Sequence, residues 1–343
     1  MTVQDPIAAA LDRYQLGPPQ ISSPGLEELA GEWAELHGSQ SGGAPFSHPA
    51  WFRTWLRHFG ADARPVFLAV HRDGNLIGVF PLTFDGRDAS VLGDHNVSDY
   101  AGVCIAEGEE AAVVAAAIEW LVEDFSQSLT VWGVTEDSPL GAALMAAGDR
   151  FGWAVTCEEE AVSPSAEISG DWDAYLAGLK KKHRHELRRK LRNLEAETAI
   201  ELAHATSGED VTRGIEQLLS MMKESREDKS EFLTETMEAF FRDLGPAFAE
   251  LGMVRLSTLL LDKQPAATVF AFEDEETIYL YNSGYDPERA DLAVGLLSKA
   301  LVLRSGISRG KSTFDFLRGN ERYKSHLGGS ARPVSRYVLR RSS

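Results

Sequence analysis

The chain has 343 residues, of which 43% are hydrophobic and 25% charged, and a net charge of −18; this length predicts two soluble globular domains. The acidic balance argues against general affinity for nucleic acid. No run approaches the roughly 18 apolar residues of a membrane span, and residues 1–6 lack the basic and apolar regions of a signal peptide, so a cytoplasmic location is expected.

In chain order, 26–56 carry a helical pattern interrupted by a Gly- and Ser-rich loop at 38–43. Residues 65–70 alternate as a strand, Asp73-Gly74 supplies a hairpin turn, and 76–84 return as a second strand. Further strands are expected at 90–92, 100–105, 129–134 and 153–157, with helices at 109–125 and 140–147. The polar stretch 158–171 reads as a domain boundary. A helical segment follows over 172–196, and two more helices over 211–225 and 232–244. The second half then repeats the first: strands at 254–261, 266–272 and 277–282, a helix at 292–305, a strand at 313–317, a short helix through Tyr323 and a last strand at 334–339. The turn Asp262-Lys263-Gln264 aligns with Asp73-Gly74-Asn75, and the shared order of elements points to a duplicated fold. Strands joined by both hairpins and helices imply an α+β (mixed α/β) protein of two domains, 1–160 and 161–343. Each has a mixed, mostly antiparallel sheet flanked by helices. No Gly-rich nucleotide fingerprint is present. Cys104 and Cys157 fall in apolar runs and read as buried hydrophobes, and no Cys/His spacing suggests a metal.

Four segments concentrate polar residues where chemistry needs them. The stretch Gly93-Asp94-His95-Asn96-Val97-Ser98-Asp99-Tyr100 lies between two expected strands, and its bland reading is a loop whose side chains satisfy backbone donors. Residues 180–192 pack eight Lys and Arg into thirteen positions, with Leu187, Leu191 and Leu194 at helical spacing. Between Gly284 and Leu297 a loop enters a helix, where backbone N–H groups of Val294, Gly295 and Leu296 could hold an anion. In the alternative, Asp291 caps that helix and Gly295 is a packing contact. The fourth segment is Phe314-Asp315-Phe316-Leu317-Arg318-Gly319-Asn320-Glu321-Arg322-Tyr323-Lys324; without a site, its charges are surface ion pairs worth about 1 kcal/mol or less.

That last segment matches the pattern F-D-F-L-R-G-x-x-x-Y-K at every fixed position. With the run Tyr279-Leu280-Tyr281-Asn282-Ser283-Gly284-Tyr285-Asp286 before it, the second half resembles acyltransferases of the GNAT superfamily, in the BioF2-like/CelD branch related to the FemABX peptidyltransferases. The resemblance implies two tandem GNAT-like domains with the acceptor bound at their interface. It implies N-acyl transfer from acetyl-CoA or another acyl-CoA, as co-substrate and not as a tightly bound cofactor, to an amine or amino sugar. The acceptor would be a small molecule or a cell-envelope or polysaccharide precursor. Tyr323 would be the general acid toward the departing thiolate and Lys324 a donor to the oxyanion. Val294, Gly295 and Leu296 would bind the donor's pyrophosphate. Asp99 would be a base for the amine, with His95 an alternative. His95, Ser98, Tyr100, Arg188, Arg189, Tyr285, Asp286 and Arg318 would contact substrate, the two arginines through an anionic group. Two alternatives stay open: a Fem-like ligase using aminoacyl-tRNA, touched by the basic helix, and a degenerate GNAT pair acting as a binding module.

Overall fold

The structure is a computed structural model that describes residues 17–40, 43–124, 126–225 and 231–341. Residues 1–6, part of the 38–43 loop and Phe125, the expected end of a helix, lie outside the described residues. The chain divides into two compact units, Met1–Ala161 with Pro333–Ser343, and Val162–Arg332.

The first unit contains, in chain order, β1 (Gln20–Ser22), α1 (Leu26–Gly38), α2 (Pro49–Phe59), β2 (Val66–Arg72), β3 (Asn75–Asp85), β4 (Asp88–Val91), β5 (Cys104–Ile105), α3 (Glu110–Glu123), β6 (Ser128–Thr135), α4 (Pro139–Phe151) and β7 (Trp153–Val162). Between β2 and β3, Asp73 and Gly74 take φ of 52° and 81°, the left-handed pair that a tight hairpin of right-twisted strands needs. β6 runs parallel to β4, so the chain must cross over between them; that crossover carries the 93–100 loop, β5 and α3. The expected strand over 100–105 shortens to Cys104–Ile105, which pairs with β3 at Val79 and Gly78, while the Ala101 N–H donates to the Gly133 carbonyl of β6. α4 opens on a Ser138 cap followed by Pro139, the residue order that satisfies a helix start.

The second unit contains β8 (Ser165–Glu167), α5 (Trp172–Gly178), α6 (Lys181–Glu197), β9 (Ile200–Ala205), α7 (Gly208–Ser225), α8 (Glu235–Glu250), β10 (Val254–Leu261), β11 (Gln264–Glu273), β12 (Thr277–Tyr285), α9 (Val294–Ser308), β13 (Thr313–Asp315) and α10 (Arg322–His326). Its sheet runs β8-β13-β12-β11-β10-β9, antiparallel except for β12 with β13. The expected single helix over 172–196 breaks at Leu179 and Lys180, which are extended. The Arg184 guanidinium then donates to the Ala177 carbonyl at 2.9 Å, closing the end of α5. Leu187, Leu191 and Leu194 form the buried stripe of α6 and join the core of this unit.

One element departs from the expected division at residue 161. The last strand, β14 (Pro333–Arg341), belongs to the first unit, where it lies between β6 and β7 and pairs antiparallel with β6. Its buried Val334 and Leu339 mark a strand in any sheet. Alternation fixes which face of a strand is buried, not which neighbour it takes. Each unit is thus a mixed α/β fold with helices flanking a mixed sheet. Among the described residues, no helix is long and apolar enough to cross a membrane.

Candidate functional site

In the second unit the parallel register of β12 with β13 runs over three pairs and ends at Tyr279↔Asp315. β12 continues to Tyr285 and carries a bulge, since Phe270 opposes Asn282 while Ala271 opposes Leu280; Tyr281 is the extra residue. The Tyr281 ring stacks on Phe241 at 5.7 Å. Tyr279 is buried and donates to the Asp274 carboxylate at 2.8 Å; burial and that carboxylate push its phenol well above the usual range, so it stays protonated.

Beyond β12, Asp286 accepts from the Glu288 N–H at 2.9 Å and pairs with Arg289 at 3.2 Å. Asp286, expected to contact substrate, thus caps the short turn Pro287–Leu292. Asp291 does not cap α9: the residue at that position is Ala293, held left-handed at φ 56°. This conformation costs a non-glycine residue energy, and such strain gathers at functional turns. It also tightens the first turn, so that the Leu296 N–H donates to the Ala293 carbonyl at 3.0 Å. Of the three residues expected to hold a donor through backbone N–H groups, Leu296 is therefore engaged by the helix itself. Val294 and Gly295 occupy the first two positions of α9, whose first turn holds no acidic residue. Gly295 lies against the half-buried ring of Tyr285, where an added Cβ would come within 3.1 Å of Cδ1. Tyr285 is accordingly a packing partner of the helix start.

The F-D-F-L-R-G segment forms a locked turn. Asp315, 3% exposed, accepts from the Leu317 N–H (2.8 Å), the Ser163 hydroxyl (3.3 Å) and Arg332 (2.8 Å). Leu317 is left-handed at φ 58°. Lys324, 2% exposed, sends its ammonium to the Leu317 carbonyl at 3.0 Å, the Arg318 carbonyl at 2.6 Å and the Glu321 carboxylate at 3.0 Å. An ammonium has three protons, so the expected oxyanion donor is a clamp on its own turn. Gly319, at φ 117°, is required there: an added Cβ would stand 2.3 Å from the Glu321 carboxylate. Arg318 is half-buried and enters the turn through its carbonyl.

Tyr323, next to the clamp, is half-buried, with its ring 6.4 Å from Phe316. Over that ring, at 4.9 Å, sits the ammonium of Lys299. Lys299 is 6% exposed and donates to the Gly295 carbonyl at 2.7 Å. It thereby links the start of α9 to Tyr323. Sequence reasoning passed over Lys299, although a single lysine inside the apolar run Val294-Gly295-Leu296-Leu297-Ser298-Lys299-Ala300-Leu301 was a signal.

The basic helix α6 meets this region through His183, whose ring lies 4.4 Å from that of His326 on α10. Burial, then His183, Arg322 and Lys182, hold His326 below the usual histidine range, with Glu186 opposing them. Of the two arginines expected to grip an anion, Arg188 pairs with Asp173 at 3.4 Å on an exposed face, and Arg189 is exposed.

In the first unit the 93–100 loop is wound on Asp94, whose carboxylate accepts from the Asn96 N–H at 2.6 Å and whose carbonyl accepts from the Ser98 N–H at 2.9 Å. Ser98 is buried and takes the indole N–H of Trp51 at 3.0 Å, while Tyr100 packs on Phe46 at 5.8 Å. Both, expected to touch substrate, pack within the core of the unit. His95 lies 4.4 Å from the Trp132 ring and 3.8 Å from Glu160, and Asp99 is half-buried. Glu160 also accepts from the Gly133 N–H at 2.9 Å and pairs with Arg336 at 3.2 Å, a hub that nothing in the Glu158-Glu159-Glu160 run singled out. No group of three or more His, Cys, Asp or Glu is placed to hold a metal among the described residues.

The second unit thus brings together a parallel strand pair that stops short, a bulge in the longer strand, a helix entered from a left-handed residue and a tyrosine beyond the next strand. Residues 181–325, in the second unit, match the family model described as acetyltransferase (GNAT) domain. Among solved structures, the chain is similar to FemX (13% identity, TM-score 0.65, covering 93% of this chain and 96% of that one). It is also similar to the C-terminal domain of a protein assigned as a lysylphosphatidylglycerol synthetase from Agrobacterium fabrum (10% identity, TM-score 0.59, covering 93% of each chain). A third likeness is to L-PGS from Bacillus licheniformis (13% identity, TM-score 0.56, covering 93% of each). At these identities the likeness shows the shared fold. No curated protein sequence matches the chain.

Proposed function

We propose that the protein is an N-acyltransferase that draws its acyl group from acetyl-CoA or another acyl-CoA and passes it to an amine or amino sugar. The observation that carries this reading is the junction of Gly295, Lys299 and Tyr323, which sets an acid-free helix start beside a phenol. Backbone N–H groups of Val294 and Gly295, at the positive end of α9, suit the donor's pyrophosphate. The amine nitrogen attacks the thioester carbon, the C–N bond forms and the C–S bond breaks. The leaving thiolate takes the phenolic proton of Tyr323, and the proton shed by the amine restores the phenol through solvent. Lys324 serves this chemistry by holding the turn that presents Tyr323.

For the amine's proton the reading assigns Asp99, with His95, on chemical grounds: an ammonium must lose a proton before it can attack. Asp99→Asn keeps shape and removes the basic group, and wild-type rates at every pH would strike Asp99 out. The likeness to a lysylphosphatidylglycerol synthetase supports a cell-envelope or polysaccharide-precursor acceptor. Transfer from aminoacyl-tRNA is the second reading, and the basic face of α6 is what favours it.

A thermal-shift series with acetyl-CoA, longer acyl-CoA esters and aminoacyl-tRNA separates the donors, because a bound ligand raises apparent stability by mass action. Acetyl-CoA should raise Tm, protect amides at 294–297 from hydrogen exchange, and release free thiol when amines are added. Stabilisation by aminoacyl-tRNA alone would move the donor to the second reading. Stabilisation by CoA esters with no thiol released to any amine would leave a binding module.

A further inference from the structure

Two buried lysines flank Tyr323, and they do different things. Lys324 is consumed by the turn it closes, its ammonium facing two carbonyls and a carboxylate. Lys299 donates to the Gly295 carbonyl, and its ammonium stands over the face of the Tyr323 ring. Its placement runs against simple economy in two respects. The side chain is 6% exposed within an apolar helix flanked by Val294, Leu297 and Leu301, where a methionine or leucine would pack without desolvating an ammonium. The charge also sits by the first turn of α9, the positive end of that helix, where a cation is disfavoured. A cation is useful at this point if negative charge develops beside it during turnover.

We infer that Lys299 is a positioning residue that fixes the Tyr323 ring against the start of α9 and stabilises the phenolate left when Tyr323 gives up its proton. The inference rests on the acyl-transfer reading for the step it serves, though not for the contact itself. When the O–H bond of Tyr323 breaks and the thiol S–H bond forms, the electron pair stays on the phenolic oxygen and spreads into the ring. An ammonium over that ring attracts it more strongly than it attracts the neutral phenol. The same ammonium holds the Gly295 carbonyl, so the donor-binding turn and the acid are mechanically joined. This gives the Tyr-Lys pair of the motif a different partner from the one its spacing suggests. The cation that acts on Tyr323 is not its sequence neighbour but a lysine twenty-four positions earlier.

The test reads Tyr323 directly and without substrate. Tyrosinate absorbance is followed against pH in wild type and in Tyr323→Phe; the difference isolates the ionisation of Tyr323. The same pair is measured in a Lys299→Met background, which keeps length and packing and removes charge. The Tyr323 midpoint should rise by about one pH unit in Lys299→Met, a tenfold weaker phenolate. In Lys299→Arg it should return most of the way. Lys299→Gln, which can still donate to the Gly295 carbonyl, replaces Lys299→Met if that variant does not fold. With an accepted donor and amine, the charge-free variant should lose about tenfold in kcat with little change in donor KM, and the alkaline limb of its pH profile should move up with the midpoint. An unmoved midpoint in the charge-free variant overturns the inference, whatever the enzyme's activity. A moved midpoint in a protein that releases no thiol supports the Lys299–Tyr323 pair and rejects the acyl-transfer reading instead.

Discussion

Each unit sends the chain from one strand of a parallel pair into a helix and back: β4 through α3 to β6 in the first, β12 through α9 to β13 in the second. The two helix starts are opposite in charge. α3 begins at Glu109 and Glu110, and Glu109 is held in an ion pair by the buried Arg72. α9 begins at Val294 and Gly295 with no acid in its first turn. A helix start attracts anions through its exposed N–H groups and its dipole, and carboxylates there satisfy the same need from within. The strand–helix–strand order is therefore common to both units, while the charge at the helix start is set by a few side chains at one position. The proposed function puts the donor at the second start, whose first turn carries no acid.

The largest expected effect breaks the chemistry and leaves both helix starts intact. Tyr323→Phe should lower kcat by about 10²–10⁴-fold, the usual reach of general acid catalysis, with donor binding preserved. Steady-state kinetics together with a thermal-shift titration of acetyl-CoA check both halves of that statement. Unchanged kcat would make Tyr323 a packing residue.

Next comes the clamp. Lys324→Met leaves the buried Leu317 and Arg318 carbonyls without their donor, and should destabilise the second unit by about 2 kcal/mol. Denaturant unfolding gives the loss, and hydrogen exchange should place it around 315–327. An oxyanion donor would behave differently, losing kcat at full stability.

The comparison itself can be sharpened by writing the acid of α3 into α9. Leu296→Glu puts a carboxylate in the first turn, where it suits the helix dipole while repelling a phosphate, and Leu296→Gln controls for the packing that Leu296 makes against the core. Donor KM should rise about tenfold, a cost of about 1.4 kcal/mol, while Leu296→Gln stays close to wild type. Equal KM values for the two variants would detach the donor from this helix start.

Much of this was legible in the sequence, for reasons that are local. Asp73-Gly74 and Asp262-Lys263 announce their hairpins because a two-residue turn admits few residue types. The stripe of Leu187, Leu191 and Leu194 announces α6 because helical period and burial coincide. The F-D-F-L-R-G-x-x-x-Y-K segment was recognised as important, but the work of its lysine was not readable, because direction in space is not a property of spacing. Lys324 points into its own turn, and Lys299 arrives at Tyr323 from another helix. The packing of Ser98 was hidden for a related reason: a polar loop between strands looks alike whether its hydroxyls face solvent or an indole N–H. The placement of β14 between β6 and β7 depends on pairing between distant segments, which no window of residues records.

The smallest effect contrasts how the units cap their helices. In the second unit α8 is capped by the Thr234 hydroxyl, which does not titrate. In the first, α2 is capped by His48, whose Nδ1 accepts from the Ala50 N–H at 3.1 Å and must be unprotonated to do so. Burial, then the neighbouring His37 and Arg53, push the His48 imidazole down to about 3 from an ordinary 6.5. Between these values the unfolded chain binds the proton and the folded chain does not, so stability rises with pH across the window. The contribution is complete above pH 6.5 and is lost as pH falls toward 3. Over the single unit from pH 6.5 to 5.5 the first unit should lose about 1 kcal/mol, within the limit of about 1.4 kcal/mol per pH unit for one proton. Hydrogen exchange at the two pH values, corrected for intrinsic rates, should show the loss in α2 and its neighbours and not in α8. His48→Asn keeps an acceptor at the cap and cannot titrate, so it should flatten the dependence; an equal slope in that variant would assign the acid sensitivity to another group.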